Sequence, residues 1–198
     1  MPATGWGSSE SVQDRRGYAE FDVSTFAAKI AVERDLVAAL RMTLWIDADA
    51  APREVKEICF RASERLKLAT VLVANQRVQL PPGYAHLSAV RVDGGPDMAD
   101  RYIVEHAAIG DVAITADIPL AALLVPNGVV VIDPRGEEYT AEIIGERLSV
   151  RNFMDGLRTA GVETGGHAAY GSREKQAFAN ALDRALTRAI RTGGHRAR

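Results

Sequence analysis

The chain has few residues that could cross-link it or anchor it in a membrane. Its 198 residues include one cysteine, which excludes an internal disulfide framework and a zinc site built from cysteines. The longest apolar region, near 112–132, is interrupted by Asp117, Pro119 and Pro126, so it is too broken to span a bilayer. The first ten residues lack the apolar core of a signal peptide. These absences favour a cytoplasmic protein without a membrane partner.

Positive charge is scarce outside the C-terminus. Residues 42–171 carry 12 basic and 18 acidic side chains, a net charge of −6, whereas residues 172–198 carry a net charge of +5. A net negative charge over this part of the chain is not typical of a protein with a groove for broad phosphate contact. The distribution is compatible with an acidic cation site plus a basic segment that guides a polyanion, and equally with a solvated, arginine-rich last helix.

Short apolar runs and segments of helical periodicity alternate along most of the chain. Strands are predicted at 43–47, 70–74, 88–92, 112–116 and 129–133. Helices are predicted at 52–67, 97–108, 119–125, 140–148, 150–160 and 172–191, the last with Ser172 as its N-cap. This order predicts a three-layer α/β fold with a mostly parallel sheet of about five strands, followed by C-terminal helices.

The same patterns divide the chain into three parts. Residues 1–41 are predicted to be an extension that is partly disordered, with a lone helix near 24–41. Residues 42–191 form the predicted α/β domain, and residues 192–198 form a disordered tail.

Five aspartates are predicted to meet at one edge of the sheet. Three follow strands or end them and two begin a helix: Asp47, Asp49, Asp117, Asp97 and Asp100. The carboxyl ends of parallel strands share an edge, where ligands of open α/β sheets bind. Clustered carboxylates repel one another, and a hard cation such as Mg²⁺ or Mn²⁺ relieves that cost. Such an ion also supports attack of water on a phosphodiester.

Each acid also has a structural interpretation. Asp49, Asp97 and Asp117 each precede a predicted helix, and aspartate is a common N-cap. Asp47 ends a buried strand too early to serve as a cap, so a site that includes it is the better interpretation of the group.

Three further side chains at the same edge are candidates for substrate binding. Asn75 and Gln76 end the second strand and could contact a phosphate or a base, although a turn role explains them equally well. Arg135 follows the fifth strand and could contact phosphate through its guanidinium group, but Pro-Arg-Gly is also an ordinary turn sequence.

Several segments closely resemble the YaiI/YqxD family of bacterial proteins, also called UPF0178 or DUF188. The resemblance covers about 42–190 and is carried by Ile46–Pro52, Leu72–Gln76, Asp97–Asp100, Ile114–Ala121, Asp133–Gly136, Arg151–Asp155 and Gln176–Leu182. One departure is Ala51, where the family usually has cysteine, so no catalytic thiol is assigned there.

That family is itself similar to the PIN-like nucleases, including the NYN branch, which hold Mg²⁺ or Mn²⁺ with acids at matching places. The resemblance implies that Asp47, Asp100 and Asp117 are catalytic metal ligands, with Asp49 and Asp97 as outer ligands.

The resulting hypothesis is a divalent-metal-dependent nuclease that acts on RNA in preference to DNA, with Arg135 and the basic last helix contacting backbone phosphate. One alternative is a binding module for nucleic acid or protein that does not catalyse a reaction. A HAD-like phosphatase fits less well, because no lysine occurs between Asp117 and Lys175 and no Asp-Asp pair follows.

Overall fold

Strands and helices alternate through residues 42–92, 94–95, 97–159 and 170–193, which are the residues that the computed structural model describes. The strands are β1 Thr43–Asp47, β2 Ala69–Ala74, β3 Leu87–Arg91, β4 Val112–Ile114 and β5 Val130–Ile132. The helices are α1 Arg53–Leu66, α2 Met98–His106, α3 Ile118–Leu124, α4 Ala141–Thr159 and α5 Ser172–Gly193, with a 3₁₀ turn at Val125–Asn127. The predicted N-terminal extension and helix, and residues 194–198 of the predicted tail, lie outside the described residues.

The sheet has five parallel strands in the order β3-β2-β1-β4-β5. The central strand β1 pairs on one side with β2, where Leu44 lies opposite Thr70, and on the other with β4, where Leu44 lies opposite Val112. The chain therefore winds outward from β1 in both directions, and the strand order reverses between β1 and β4. This confirms the predicted α/β fold.

Alternation along each strand sends side chains to two separate helical layers. Leu44 and Ile46 pack with residues of α1 and α5 on one face of the sheet. Trp45 and Ala113 pack with residues of α2, α3 and α4 on the other face. Asp47 follows Ile46, so the same alternation directs its side chain toward the α2 layer. In the part of the chain that the structure describes, none of the helices combines the length and apolar character needed to cross a membrane.

The two helices predicted at 140–148 and 150–160 are wrong as separate elements, because α4 runs without interruption through Ala141–Thr159. Ser149 is the residue between the two predicted helices. Its hydroxyl donates to the Gly145 carbonyl oxygen at 2.9 Å, one turn earlier in the helix. A serine that bonds its own helix in this way does not end it.

The N-cap of the last helix, α5, lies one residue earlier than predicted. The Gly171 carbonyl accepts the first helical bond from the Lys175 N–H, and the Glu174 carboxylate accepts from the Gly171 N–H at 3.0 Å. Gly171, not Ser172, is therefore the N-cap, and the capping glutamate of the motif is Glu174. At its other end α5 extends to Gly193, two residues beyond the predicted boundary.

The turn after β5 packs directly on the backbone of α5. Gly136 has a φ of +90°, and a Cβ atom there would lie 2.5 Å from the Ala177 carbonyl carbon and 2.6 Å from the Phe178 nitrogen. Only glycine fits this contact and this φ without strain. The Pro134-Arg135-Gly136 turn thus has a structural role in joining the sheet edge to α5.

Candidate metal centre at the carboxyl edge of the sheet

A cleft of about 260 Å³ opens at the carboxyl edge of the sheet, where the strand order reverses between β1 and β4. Its lining consists of Asp47, Asp49, Ala50, Asn75, Asp97, Ala99, Asp100 and Asp117. All five aspartates that the sequence predicted at this edge therefore line one cleft. No lysine, arginine or histidine is among these described lining residues, so the lining itself supplies no cation to balance their charge.

Asp47 forms the buried floor of the cleft at the end of β1. One of its oxygens, Oδ2, accepts a hydrogen bond from the Thr115 hydroxyl at 2.8 Å, and Oδ1 accepts from the Ala50 N–H at 3.3 Å. Burial raises the pKa of Asp47, these bonds oppose that effect, and the charge of Asp49 adds to it. The two bonds fix the direction of a carboxylate that remains costly to ionise.

Asp117 and Asp49 have different local roles. The Asp117 Oδ1 accepts from the Leu120 N–H at 3.0 Å, so the capping interpretation is correct for this residue, which still lines the cleft. Asp49 does not cap α1, because its Oδ2 accepts instead from the Asn75 N–H at 2.8 Å. That bond ties the end of β1 to the end of β2 and shapes one wall of the cleft.

Asp97 and Asp100 approach the cleft from the start of α2. Asp97 occupies the N-cap position with a φ of +61°, but its side chain makes no capping hydrogen bond. Asp100, in the first turn, is half-buried. Burial is the main reason that the pKa of Asp100 rises to about 6. The charges of Asp117, Asp47 and Asp97 raise the pKa of Asp100 further, in that order.

Asn75 also lines the cleft, whereas the other two predicted substrate contacts do not. The side-chain oxygen of Asn75 is buried and has no hydrogen-bond partner among the described residues. Gln76 is exposed and lies outside the lining. Arg135 is also exposed and lies near Glu174 at the start of α5. Hydrogen bonds from backbone amides lower the pKa of Glu174, and the charge of Arg135 lowers it further.

The donor set fits a hard divalent cation, with one restriction on how the ion is held. Carboxylate oxygens and the unpartnered amide oxygen of Asn75 are the ligand types that Mg²⁺ and Mn²⁺ prefer. Across the described residues, however, no three Asp, Glu, His or Cys side chains form a group that could hold a metal ion. Mg²⁺ is commonly held by one or two carboxylates together with waters and substrate phosphate, and the cleft fits that mode of binding.

Thr115 is the site residue that sequence reasoning missed. Its hydroxyl donates to Asp47 and also accepts from the Asp117 N–H at 3.0 Å, so one side chain orders both acids of the switch point. The signal was present but weak, since Thr115 follows β4 directly, and β4 lies beside β1. Recognising it would have required the strand order, which the sequence pattern left open.

The chain belongs to the YaiI/YqxD family. The family model DUF188, described as "Uncharacterized BCR, YaiI/YqxD family", matches residues 45–188. A UPF0178 protein of Myxococcus xanthus is 56% identical over 143 residues, which cover 72% of this chain and 93% of that protein. The UPF0178 protein Bpet3884 of Bordetella petrii is 52% identical over 143 residues, 72% of this chain and 95% of the relative. No solved structure matches the chain.

Proposed function

We propose that this protein is a divalent-metal-dependent nuclease that hydrolyses phosphodiester bonds, with RNA as the preferred substrate. The observation that carries the proposal is a cleft at the switch point of a parallel sheet, whose described lining has five aspartates and one unpartnered amide oxygen but no basic side chain. Ligands of open α/β sheets bind at this position. The cleft is therefore both the expected ligand site and a place where positive charge must be supplied from outside.

The acids that line the cleft would have different roles in binding a cation. Asp47 and Asp117 lie at the ends of the neighbouring strands β1 and β4, and Thr115 contacts both. Asp100 adds a further catalytic carboxylate from α2, which, like Asp49 and Asp97 at the outer positions, would contact waters of an ion held directly by one or two carboxylates. A Mg²⁺ or Mn²⁺ ion bound there would activate water and neutralise charge on the phosphoryl oxygens.

The orienting bonds matter because catalysis depends on fixed positions. Asp47 is fixed on both oxygens, through Thr115 and the Ala50 N–H, before any ligand enters. Asp117 is fixed on one oxygen by its own helix. A phosphodiester would meet carboxylates that need little rearrangement.

The direct test is cleavage of a labelled single-stranded RNA in the presence of Mg²⁺ or Mn²⁺, with a DNA of the same sequence in parallel. Asp47→Asn and Asp117→Asn should lower the cleavage rate by more than about 100-fold, because each removes a charged metal ligand. The amide introduced by Asp117→Asn retains an oxygen that can accept from the Leu120 N–H, so the cap of α3 should survive.

Asp183→Asn is the matched control. Asp183 lies on the exposed surface of α5, where it pairs with Arg65 at 2.9 Å, so its substitution should leave cleavage unchanged. Equal activity in wild type, Asp47→Asn and Asp117→Asn would refute the assignment. Faster cleavage of the DNA would refute the preference for RNA.

A binding module that does not catalyse is a second candidate, and one observation favours it. The described acids, histidines and cysteine include no group of three that could hold a metal ion. Binding of RNA without cleavage over a wide range of Mg²⁺ and Mn²⁺ concentrations would support this alternative.

A further inference from the structure

A second and larger groove lies along α1, and its chemistry is opposite to that of the acidic cleft. The groove has a volume of about 630 Å³ and lies between α1 and the loop that joins β2 to β3. Its polar lining includes Arg53, Lys56 and Arg61, with Glu57 as the single acid among the described lining residues. The groove is thus positively charged on a face of an acidic protein.

The floor of the groove is aromatic and its outer wall is stiff. Phe60 is buried, and the Tyr84 ring packs on it with 5.8 Å between the ring centroids and an interplanar angle of 56°. Pro81 and Pro82 form part of the opposite wall, which restricts the backbone of the loop. A cationic rim above an aromatic surface is the combination that single-stranded nucleic acid binds, through phosphate contacts and base stacking.

A hydrogen bond from a lining residue of the groove reaches the connection between β1 and α1, whose neighbouring residues line the acidic cleft. The Lys56 ammonium group, which lines the groove, donates to the Ala48 carbonyl oxygen at 3.0 Å. Ala48 lies between Asp47 and Asp49, both of which line the cleft. A chain held at Lys56 is therefore within a short distance of the carboxylates.

We propose that this groove binds a single-stranded RNA segment that flanks the phosphodiester in the acidic cleft, with phosphates on Arg53, Lys56 and Arg61 and a base on Tyr84. The inference rests on the proposed function, because it extends the same site. It also explains how a polyanion associates with an acidic protein: affinity comes from the groove, and only the scissile phosphate enters the carboxylate cleft. Arg53 forms an exposed ion pair with Glu57 at 3.0 Å, which a phosphate would have to replace or share. Arg61 has no hydrogen-bond or ion-pair partner within the described residues, which leaves its guanidinium group available.

The test is fluorescence anisotropy with a labelled ten-nucleotide single-stranded RNA in EDTA, so that binding is measured without cleavage. Tyr84→Leu should weaken binding about tenfold through loss of stacking, whereas Tyr84→Phe keeps the ring and should bind like wild type. The Arg53→Gln, Arg61→Gln double variant should bind more weakly and lower the slope of log affinity against log salt by about 1.4. Thermal melting of each variant checks that it folds.

Arg147→Gln provides the matched change of charge outside the groove. Arg147 is exposed on α4, and its replacement should leave affinity unchanged if the groove is the binding site. Equal weakening by Arg147→Gln and by the groove variants would overturn the inference, since binding would then follow overall charge. If Tyr84→Leu fails to fold, the arginine double variant alone decides, and its unchanged affinity and salt slope would likewise overturn the inference.

The outcomes separate this inference from the nuclease proposal. If cleavage depends on Asp47 but RNA affinity is the same in the groove variants and in wild type, the RNA-binding role of the groove is refuted and the nuclease proposal stands. Binding through the groove without cleavage at any metal concentration would refute the nuclease and keep the groove.

Discussion

Two aspartates at opposite edges of the sheet are buried to a similar extent but differ in what surrounds their carboxylates. Asp47 at the carboxyl edge is 5% exposed, and Asp111 at the other edge is 4% exposed. The Asp111 carboxylate accepts three hydrogen bonds of 2.9 Å, from the Thr43 N–H, the Trp45 indole N–H and the Ala108 N–H. Asp47 accepts two, and it shares a cleft with further carboxylates.

The comparison shows that burial alone does not reveal what a carboxylate does. At Asp111 the donors come from β1 and from the loop after α2, so the buried acid joins elements of the fold. At the Asp47 end, burial and then the charges of the neighbouring acids raise the pKa of Asp100, so the fold keeps that carboxylate in the cleft at a cost in stability. An arrangement of that kind is expected where a ligand supplies the missing charge.

The largest expected effect is the loss of stability when the Asp111 carboxylate is removed. Asp111→Ala should lower the free energy of unfolding by about 3 kcal/mol, because it leaves one buried and two partly buried donors without an acceptor. Urea denaturation followed by circular dichroism measures this. Asp111→Asn retains one oxygen and should cost less. A loss below about 1 kcal/mol for the alanine variant would mean that the hydrogen bonds at Asp111 contribute little net stability.

The second-largest expected effect is the stabilisation of the folded protein by a metal ion bound in the acidic cleft. At a Mn²⁺ concentration about 100 times the dissociation constant, the metal should stabilise the folded protein by about 2.7 kcal/mol. Asp47→Asn should reduce this gain, and Asp183→Asn should retain it. Thermal melting with and without Mn²⁺ provides the measurement. If Asp47→Asn shows the same gain as wild type, the metal binds elsewhere.

The smallest expected effect is the cost of burying the Asp100 carboxylate beside other acids when no metal is bound. The pKa of Asp100 is about 6 in the folded protein, above its ordinary value of 3.8, so folding favours the protonated form. Stability should therefore fall as pH rises from about 4 to 6 and then level off. Since Asp100 is only partly buried, solvent screening limits the cost, and Asp100→Asn should recover about 1 kcal/mol at pH 7.

That gain should disappear near pH 4, where the wild-type carboxyl is largely protonated when folded. Unfolding in urea and EDTA at pH 4 and pH 7 gives both values. A variant that is less stable than wild type at pH 7 would contradict the electrostatic account, because Asp100 would then be contributing favourable contacts.

Much of the fold was predictable because its signals are local. The apolar runs and turn residues located the five strands to within two residues at each end, and the acids were correctly assigned to the carboxyl edge. Errors arose where a local signal had two meanings. The sequence predicts separate helices at 140–148 and 150–160, yet the Ser149 hydroxyl between them bonds within one continuous helix. Capping of α1 is one of two interpretations of Asp49, yet its carboxylate bonds the end of the next strand.

The site was predictable in composition but not in detail. Asn75 joins the cleft as expected, whereas Gln76 and Arg135 do not line it. Neighbouring positions in sequence share an edge of the sheet, but the direction of each side chain depends on the helices packed around it. Asp111 could not have been singled out, because two of its donors lie 66 and 68 residues away.

The sequence alone determined where apolar residues recur along the strands, where the strands end, and which acids lie at those ends. These properties depend on neighbours within a few residues, because side-chain alternation and helix periodicity are local. Only the tertiary structure decided that β4 lies beside β1, which brings Thr115 to Asp47 and gathers the acids in one cleft whose described lining holds no balancing cation. The choice depends on the side of the sheet to which each crossover turns, which is set by burial of whole helices rather than by a local pattern.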